Sequence, residues 1–334
     1  MTDEGQGVEL KPVRKVLAIA DGPQDAATLA AAAGFAARHD AALAVLACVA
    51  PPSDIRRLSR LTGLAPAAMV ERMVETRRSA LVDLARQTGL IDSRAVCVSV
   101  GTPFIEISRY VVTHGIDIVV KAAEWLPGLG RFQFASTDQH LVRKCPCDIW
   151  LRRPDARDPP LTILAAVDVG DWDAPEPETM AALNRKVIEM ALRLAPGPDA
   201  VIYVLHAWDA PGEGLARAFS SGQDSPTAAQ SYVDDVQSAH RASLEGLISP
   251  LRARTAKLAG PKILSRLEKG AVRVVISEQA KILGADILVM GTVARTGVSG
   301  ILIGNTAEDI LNSFDGSVMT VKPEGFVSPL DLKP

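Results

Sequence analysis

The residues of this chain with the clearest capacity for chemistry lie in one glycine-rich segment of its second half. The segment runs from Met290 to Thr306 and reads MGTVARTGVSGILIGNT. Its glycines allow backbone N–H groups to turn toward an anion, and Arg295 adds a cation. A helix is predicted to begin at Thr306, and the unpaired amides of a helix N-terminus favour a phosphate. The segment therefore predicts a phosphate-binding loop.

A carboxylate is predicted at the same edge of the fold as this loop. Asp168 ends the apolar run LTILAAVD (161–168), which is typical of a buried strand. The loop leaves the end of a second such run, ADILVMG (285–291). Because ligands of open parallel sheets bind where the strands end, we expect Asp168 to lie beside the loop. A carboxylate can accept hydrogen bonds from ribose hydroxyls, so the sequence predicts an adenine-nucleotide site.

The elements that would position these residues occur twice in the chain. Residues 101–154 align without a gap with residues 270–323, at a constant offset of 169. Identical residues at this offset include Gly101/Gly270, Gly115/Gly284, Asp117/Asp286, Thr137/Thr306 and Pro154/Pro323. At the loop, the first copy has Ala122, Trp125 and Ala135 where the second has Gly291, Ala294 and Gly304. Glycines required only by the architecture would occur in both copies, so we expect only the second copy to bind a nucleotide in this way.

Both halves alternate short aliphatic runs with longer helical patterns, which indicates parallel βαβ units. The strand runs are almost continuously apolar, as expected for sheets that are covered on both faces. We predict an α/β protein of two tandem, doubly wound, five-stranded parallel-sheet domains at 11–153 and 160–323, followed by a tail at 324–334. The Pro-rich segment RPDARDPP (153–160) is the predicted linker. Residues 209–230, rich in Gly, Ser, Ala and Pro, are predicted to form a mobile loop.

Bulk composition excludes several classes of function. The 334 residues carry a net charge of −3 with a pI of about 6.0, and aromatic residues make up 4%. This composition provides neither a basic surface for nucleic acid nor stacking platforms for single strands. No apolar run approaches the ~18 residues that span a bilayer, and the N-terminus is acidic and polar. We therefore expect a cytoplasmic protein that binds no nucleic acid and does not span a membrane.

Cysteine and histidine form no recognisable metal or catalytic pattern in the sequence. Cys145 and Cys147 are separated by one proline, and no second pair completes a site, so this segment is interpreted as a turn entering a strand. The five histidines are dispersed, and His206 ends an apolar strand, which favours a place in the core or at its edge. Neither a nucleophile elbow nor a Walker A motif is present. The sequence therefore favours binding over catalysis.

This ordered combination of motifs resembles the two-domain, E-type universal stress proteins over nearly the whole chain. The family's nucleotide motif is Gly-x2-Gly-x9-Gly-Ser/Thr, and Gly291, Ala294 and Gly304-Asn305 occupy its positions at the right spacing. Asp168 matches the aspartate that ends the family's first strand, as Asp21 does in the first copy. The resemblance implies a role in the stress response, with ATP and Mg²⁺ as the ligand. The residues expected around the nucleotide are Val167, Asp168, Ala207, Met290, Gly291, Ala294, Arg295, Gly304, Asn305 and Thr306.

Two departures from the family motif bear on this site. Ala294 replaces the second glycine, which costs ~1 kcal/mol or more if the position needs a positive φ. Asn305 replaces the hydroxyl residue, although its amide can still donate to a phosphate. A purely architectural interpretation also stands, in which the glycines shape a turn and Asp168 is a cap or turn residue. In that interpretation Asn305 and Glu308 form a helix capping box.

Two other functions and one assembly remain open on the sequence. A non-nucleotide scaffold or hydrophobic-ligand carrier, with both nucleotide sites degenerate, would use the apolar segment from Trp125 to Phe134, with residues 209–230 as a lid. A weak ATPase or autophosphorylating enzyme ranks last, because no general base is placed for in-line attack by water. The resemblance also implies pairing between the fifth strands, DIWLR (148–152) and SVMTVK (317–322), which would cover their exposed edges. We expect this intramolecular pseudo-dimer, and a further homodimer is compatible with it.

Overall fold

The computed structural model divides into two compact units, of which one ends at Val120 and the other begins at Lys121. It describes residues 12–88, 95–124, 136–170, 177–219, 225–292, 310, 314 and 316–332. Each unit is an α/β layer structure with helices packed on a sheet, as the alternating sequence pattern predicts. The domain limits expected from the sequence, 11–153 and 160–323, remain a prediction.

The first unit is built on four strands in the order β3-β2-β1-β4. The strands are β1 (Lys15–Ile19), β2 (Ala42–Val49), β3 (Val96–Val100) and β4 (Ile118–Ala122), of which the last crosses the boundary between the units. The helices are α1 (Ala26–Arg38), α2 (Ile55–Thr62), α3 (Pro66–Thr88) and α4 (Pro103–His114). The ladders β1–β2 and β2–β3 are parallel. The chain therefore winds from β1 outward to β3 and then returns to the other side of β1.

Local sequence explains where these elements begin and end. Val16 and Leu17 of β1 are completely buried, as is Phe35 of α1, so the strand and the helix share one core. Helix α4 starts with Pro103, whose missing N–H has no helical partner in any case. The residue that follows its last turn, Gly115, adopts the left-handed conformation with φ 62° and closes the helix.

The second unit is built on six strands in the order β5-β10-β9-β6-β7-β8. The strands are β5 (Asp148–Arg152), β6 (Thr162–Ala166), β7 (Val201–Trp208), β8 (Lys262–Lys269), β9 (Ile287–Gly291) and β10 (Ser317–Val321). The helices are α5 (Ser136–Lys144), α6 (Pro177–Leu194), α7 (Glu213–Phe219), α8 (Ser225–Lys257) and α9 (Val272–Leu283). The ladders among β10, β9, β6, β7 and β8 are parallel. The α/β class and the mostly parallel sheet predicted from the sequence are thus confirmed.

The fifth strands of the two repeats pair with each other. Strand β10 runs antiparallel to β5, with Met319 opposite Trp150 and Thr320 opposite Ile149. Every residue of both strands is buried. An unpaired edge of this apolar composition would expose a row of backbone N–H and C=O groups, and the pairing removes that edge. The intramolecular strand pairing expected from the sequence is confirmed.

The prediction of a mobile loop over residues 209–230 is wrong for the part that the structure describes. Helix α7 occupies the middle of this segment, and α8 begins inside it. The two helices pack together, and the Gly212 N–H donates to the Tyr232 hydroxyl at 3.2 Å. The serine and proline at 225 and 226 mark a helix start, because proline is well tolerated in the first turn. Tertiary packing therefore outweighs a composition that by itself suggests a loop.

None of the helices within the described ranges has the length and apolar character needed to cross a membrane.

Candidate functional site

The residues predicted at the end of strand β6 come together with those of its two neighbours. Because β6 lies between β9 and β7, Asp168, Ala207 and Gly291 all sit at the carboxyl edge of adjacent parallel strands. The Val167 N–H donates to the Leu205 carbonyl at 3.0 Å and extends the β6–β7 ladder. The chain proceeds from β6 to β7 and β8 on one side, and then to β9 on the other. Such a reversal of winding opens a crevice beyond the strand ends, where open α/β sheets bind ligands.

The backbone at Asp168 is held by a side chain that the sequence analysis missed. Asn184 of α6 accepts the Asp168 N–H through Oδ1 at 2.9 Å. It also donates through Nδ2 to the Asp168 carbonyl at 2.6 Å. Asn184 is buried, so this two-way amide contact satisfies polar groups that would otherwise be costly in the interior. The sequence signal that could have revealed Asn184 is a polar residue on the buried side of a helix. By holding the backbone, Asn184 fixes the position from which the Asp168 side chain extends.

Gly291 has a packing reason to be glycine. A Cβ built at this position would lie 2.7 Å from Cδ2 of Leu183, a residue of α6 that is itself buried. Helix α6 could not approach the end of β9 this closely if residue 291 carried a side chain. The difference between Gly291 and its counterpart Ala122 therefore has an architectural cause in addition to any role in binding. The contrast between the two copies is weaker evidence for a ligand at this position than the sequence suggested.

Two histidines form a buried pair beside the ends of β6 and β7. His206 Nε2 lies 2.9 Å from His240 Nδ1, and His206 Nδ1 lies 3.1 Å from the Val167 carbonyl oxygen. Both side chains are buried. In one consistent arrangement of protons, His206 Nδ1–H donates to Val167 and His206 Nε2 accepts from His240 Nδ1–H. The core placement expected for His206 is observed, whereas its partner was missed because the two residues are 34 positions apart.

The second half of the predicted site lies outside the described residues. Ala294, Arg295, Gly304, Asn305 and Thr306 all fall within 293–309, which the described ranges leave out. The residue that precedes this segment is held in place, because the buried Thr292 donates its N–H to the Val321 carbonyl at 3.2 Å. The anchor of the loop at the end of β9 is therefore defined.

Comparison with known proteins decides the family. The model of the universal stress protein family matches residues 12–153 and again residues 181–322. The chain belongs to the universal stress protein family. Universal stress protein E of Escherichia coli K12 is 29% identical to it over 231 residues, which is 69% of this chain and 68% of the relative.

Solved structures agree with this universal stress protein in fold. A functionally unknown protein from Pseudomonas aeruginosa PAO1 superposes with a TM-score of 0.58 at 23% identity, over 93% of each chain. A universal stress protein from Archaeoglobus fulgidus DSM 4304 gives a TM-score of 0.56 at 12% identity, over 93% of this chain and 98% of the other. At such identities the similarity establishes the tandem α/β fold.

The first repeat of this universal stress protein holds its matching aspartate differently. Arg77 donates through Nη1 to the Asp21 carbonyl at 2.5 Å and lies 3.4 Å from the carboxylate Oδ1. The Asp21 N–H is bound in turn by Asp25 Oδ2 at 2.7 Å. A ribose would have to compete with a guanidinium for this carboxylate. The expectation that the first repeat does not bind nucleotide in the family manner stays a prediction.

The first repeat also carries a buried lysine where the second has Met290. Lys121 Nζ lies 2.9 Å from Asp138 Oδ1 and 2.8 Å from Glu124 Oε1. Burial lowers the pKa of Lys121, but the two carboxylates outweigh this effect and raise its pKa above the ordinary value. The ammonium group of Lys121 therefore forms ion pairs with side chains of the protein itself.

Alanine in place of Gly170 is expected to destabilise the second unit, because its Cβ would overlap the His240 ring and press on His206. We expect the free energy of unfolding to fall by about 1–3 kcal/mol, the usual range for overpacking. Urea denaturation followed by circular dichroism measures this change. The matched control is Gly246→Ala in α8, where an added Cβ meets nothing within 4 Å and helix propensity favours alanine. Equal stability of the Gly170 variant and the wild type would contradict the described packing.

Proposed function

We propose that this universal stress protein acts in the stress response by binding an adenine nucleotide, ATP with Mg²⁺, in its second repeat and not in its first. The observation that carries this proposal is the meeting of Asp168, Ala207 and Gly291 at the point where the winding of the sheet reverses. In this crevice a ligand can reach three strand ends at once. The sequence motif beyond β9 supplies the complementary groups for phosphate.

Each part of the proposed site has a role that follows from its chemistry. The Asp168 carboxylate accepts hydrogen bonds from the ribose, while the small Ala207 and the apolar Val167 and Met290 flank the base. The phosphates are assigned to Arg295 and to the donors of Gly304, Asn305 and Thr306. These donor and acceptor types fit an adenine nucleotide.

Magnesium is assigned to the nucleotide and not to a site on the protein. The described part of the chain contains no group of three His, Cys, Asp or Glu side chains arranged to hold a metal ion. Mg²⁺ is commonly bound through substrate phosphates with few protein ligands, so it would enter with the ATP. We assign binding without turnover, since the sequence positions no general base for water. The proposed location is the cytoplasm, as expected from the composition of the chain.

Replacing Asp168 with alanine is expected to weaken Mg-ATP binding by about 10- to 100-fold. Hydrogen bonds to a charged group contribute about 1.5–3 kcal/mol each, and the variant removes those of the ribose while Asn184 still holds the backbone. Isothermal titration calorimetry measures the affinity and the number of sites, which we expect to be one per chain.

The matched control is Asp21→Ala, which removes the corresponding carboxylate of the first repeat. This variant is expected to leave Mg-ATP affinity unchanged, because the Asp21 carboxylate already forms an ion pair with Arg77. Loss of binding in the Asp21 variant alone would move the site to the first repeat. A wild-type protein that binds no adenine nucleotide would overturn the proposed function.

A further inference from the structure

The first unit contains a cavity that the proposed nucleotide site does not use. Its volume is about 580 Å³, within the usual range of about 300–1,000 Å³ for small-molecule sites. It lies between the end of β2 at Val49, helix α2 and the first half of α3. All residues that define it belong to the first unit, so it is a feature of that unit alone.

The wall of this cavity is mainly hydrocarbon. Ile55 and Leu58 of α2 and Met69 and Met73 of α3 line it, and Val49 of β2 contributes a further aliphatic surface. Methionine side chains are unbranched and adapt to the shape of a neighbour. Such a wall accepts a flexible methylene chain, and it provides few partners for the polar edge of a purine.

The charged groups of the cavity favour an anion with a single charge. Arg72 lines it, and within the described part of the chain no acidic side chain pairs with this guanidinium. Arg77 and Asp21 also line it, and these two opposite charges pair with each other at 3.4 Å, so they add no net charge to the cavity. Residues 54–78, which form most of the wall, contain six arginines against three acidic residues. The single guanidinium of Arg72 suits the single charge of a carboxylate. The several charges of a nucleoside triphosphate would remain largely unmatched.

We propose that this cavity binds the anion of a fatty acid. The hydrocarbon chain lies against Leu58, Met69 and Met73, and the carboxylate is bound by Arg72 at the rim. The site is independent of the nucleotide site in the second repeat, and it gives the first repeat a ligand of its own. The protein would then combine two binding functions of different chemistry.

Titration with saturated carboxylates of increasing length tests the chain-binding half of this proposal. Decanoate, dodecanoate and tetradecanoate, used below their micelle concentrations, are expected to bind at one site per chain. Each added methylene should tighten binding about fourfold, the factor that corresponds to burial of a CH₂ group. With [¹³C-methyl]methionine labelling, dodecanoate should shift the NMR signals of Met69 and Met73. Affinity that does not change with chain length, or a shift confined to other methionines, would overturn the assignment.

Two pairs of variants separate the apolar wall from the charged rim. Leu58→Gln is expected to weaken dodecanoate binding about tenfold, while Leu61→Gln on the same helix should have no effect, since Leu61 is 77% exposed and does not line the cavity. Arg72→Gln is expected to weaken dodecanoate about tenfold but to leave decanol unaffected. Arg78→Gln, an exposed substitution on the same helix outside the cavity, is the control. Thermal unfolding of each variant confirms that it is folded.

The remaining outcomes decide between this ligand and others. Equal binding of decanol and decanoate to the wild type would mean a neutral apolar ligand and would overturn the choice of an anion. Displacement of dodecanoate by Mg-ATP would mean that nucleotide occupies the cavity and would overturn the proposal as a whole. Dodecanoate binding in a protein that takes up no Mg-ATP would support the fatty-acid site while contradicting the proposed function of the second repeat.

Discussion

Tryptophan in place of Gly304 is expected to reduce Mg-ATP affinity at least 100-fold. Gly304 occupies the position of the third glycine of the family motif, and in the proposed site its backbone binds the phosphates. A large side chain there would hold the phosphates away from the amide donors and from Asn305 and Thr306. Calorimetric titration with Mg-ATP gives the affinity, and native mass spectrometry gives the number of nucleotides that each chain retains.

The control for this variant comes from the internal repeat. Ala135 occupies the position in the first copy that corresponds to Gly304, so Ala135→Trp places the same indole side chain in the repeat without the motif. We expect it to bind one nucleotide with wild-type affinity. If both variants bind like the wild type, the glycine motif serves only to shape a turn. If the Ala135 variant alone loses nucleotide, the assignment to the second repeat is wrong.

Methionine in place of Lys322 is expected to stabilise the protein at pH 7. Lys322 is almost completely buried at the end of β10, where its ammonium group donates to the Val142 carbonyl and lies 4.2 Å from the centre of the Phe326 ring. Burial lowers the pKa of Lys322 from 10.5 to about 8, against the opposing effects of Cys145, Cys147 and Asp148. The folded state thus binds this proton less well than the unfolded state.

The pH dependence of stability follows from that shift. Below pH 8 the charge of Lys322 costs the folded state about 3 kcal/mol, since each pKa unit corresponds to about 1.4 kcal/mol. The cost falls as the pH rises from about 8 to 10.5, so the wild type should become more stable over this range through this residue. Lys322→Met removes the dependence. At pH 7 the increase in unfolding free energy of the Lys322→Met variant is reduced by about 1 kcal/mol, because the hydrogen bond to Val142 is lost.

Urea denaturation at pH 7 and pH 9.5 measures both effects. The difference in unfolding free energy between Lys322→Met and the wild type should be about 2 kcal/mol at pH 7 and smaller at pH 9.5. Lys262→Met, which replaces an exposed lysine at the start of β8, should leave the pH profile of the wild type unchanged. The same pH slope in the wild type and in the Lys322 variant would show that the buried amine does not titrate in this range.

Some element boundaries could be predicted because they depend on local patterns. The run DIWLR, predicted as a strand over 148–152, coincides with β5, and the predicted strand runs 161–168, 285–291 and 317–322 contain β6, β9 and β10. Apolar periodicity marks these elements, and glycines such as Gly115 and Gly284 adopt the left-handed conformation that ends their helices. Helix α2 was not predicted, since its eight residues follow two prolines and bury no residue fully. Its position depends on its contact with α3, which a short sequence pattern does not reveal.

The sequence by itself determined the repeat, the α/β class, the family and the glycine motif. Each of these depends on residues that are close together in the chain or separated by a constant offset. Only the tertiary structure decided how the two strand-one aspartates differ. Asn184 holds the backbone of Asp168, whereas Arg77, 56 residues from Asp21, occupies the carboxylate of the first repeat. The tertiary structure also revealed the His206–His240 pair and the cavity beside α2. These features arise when chain packing brings distant side chains into contact, and no local pattern records which partner each will meet.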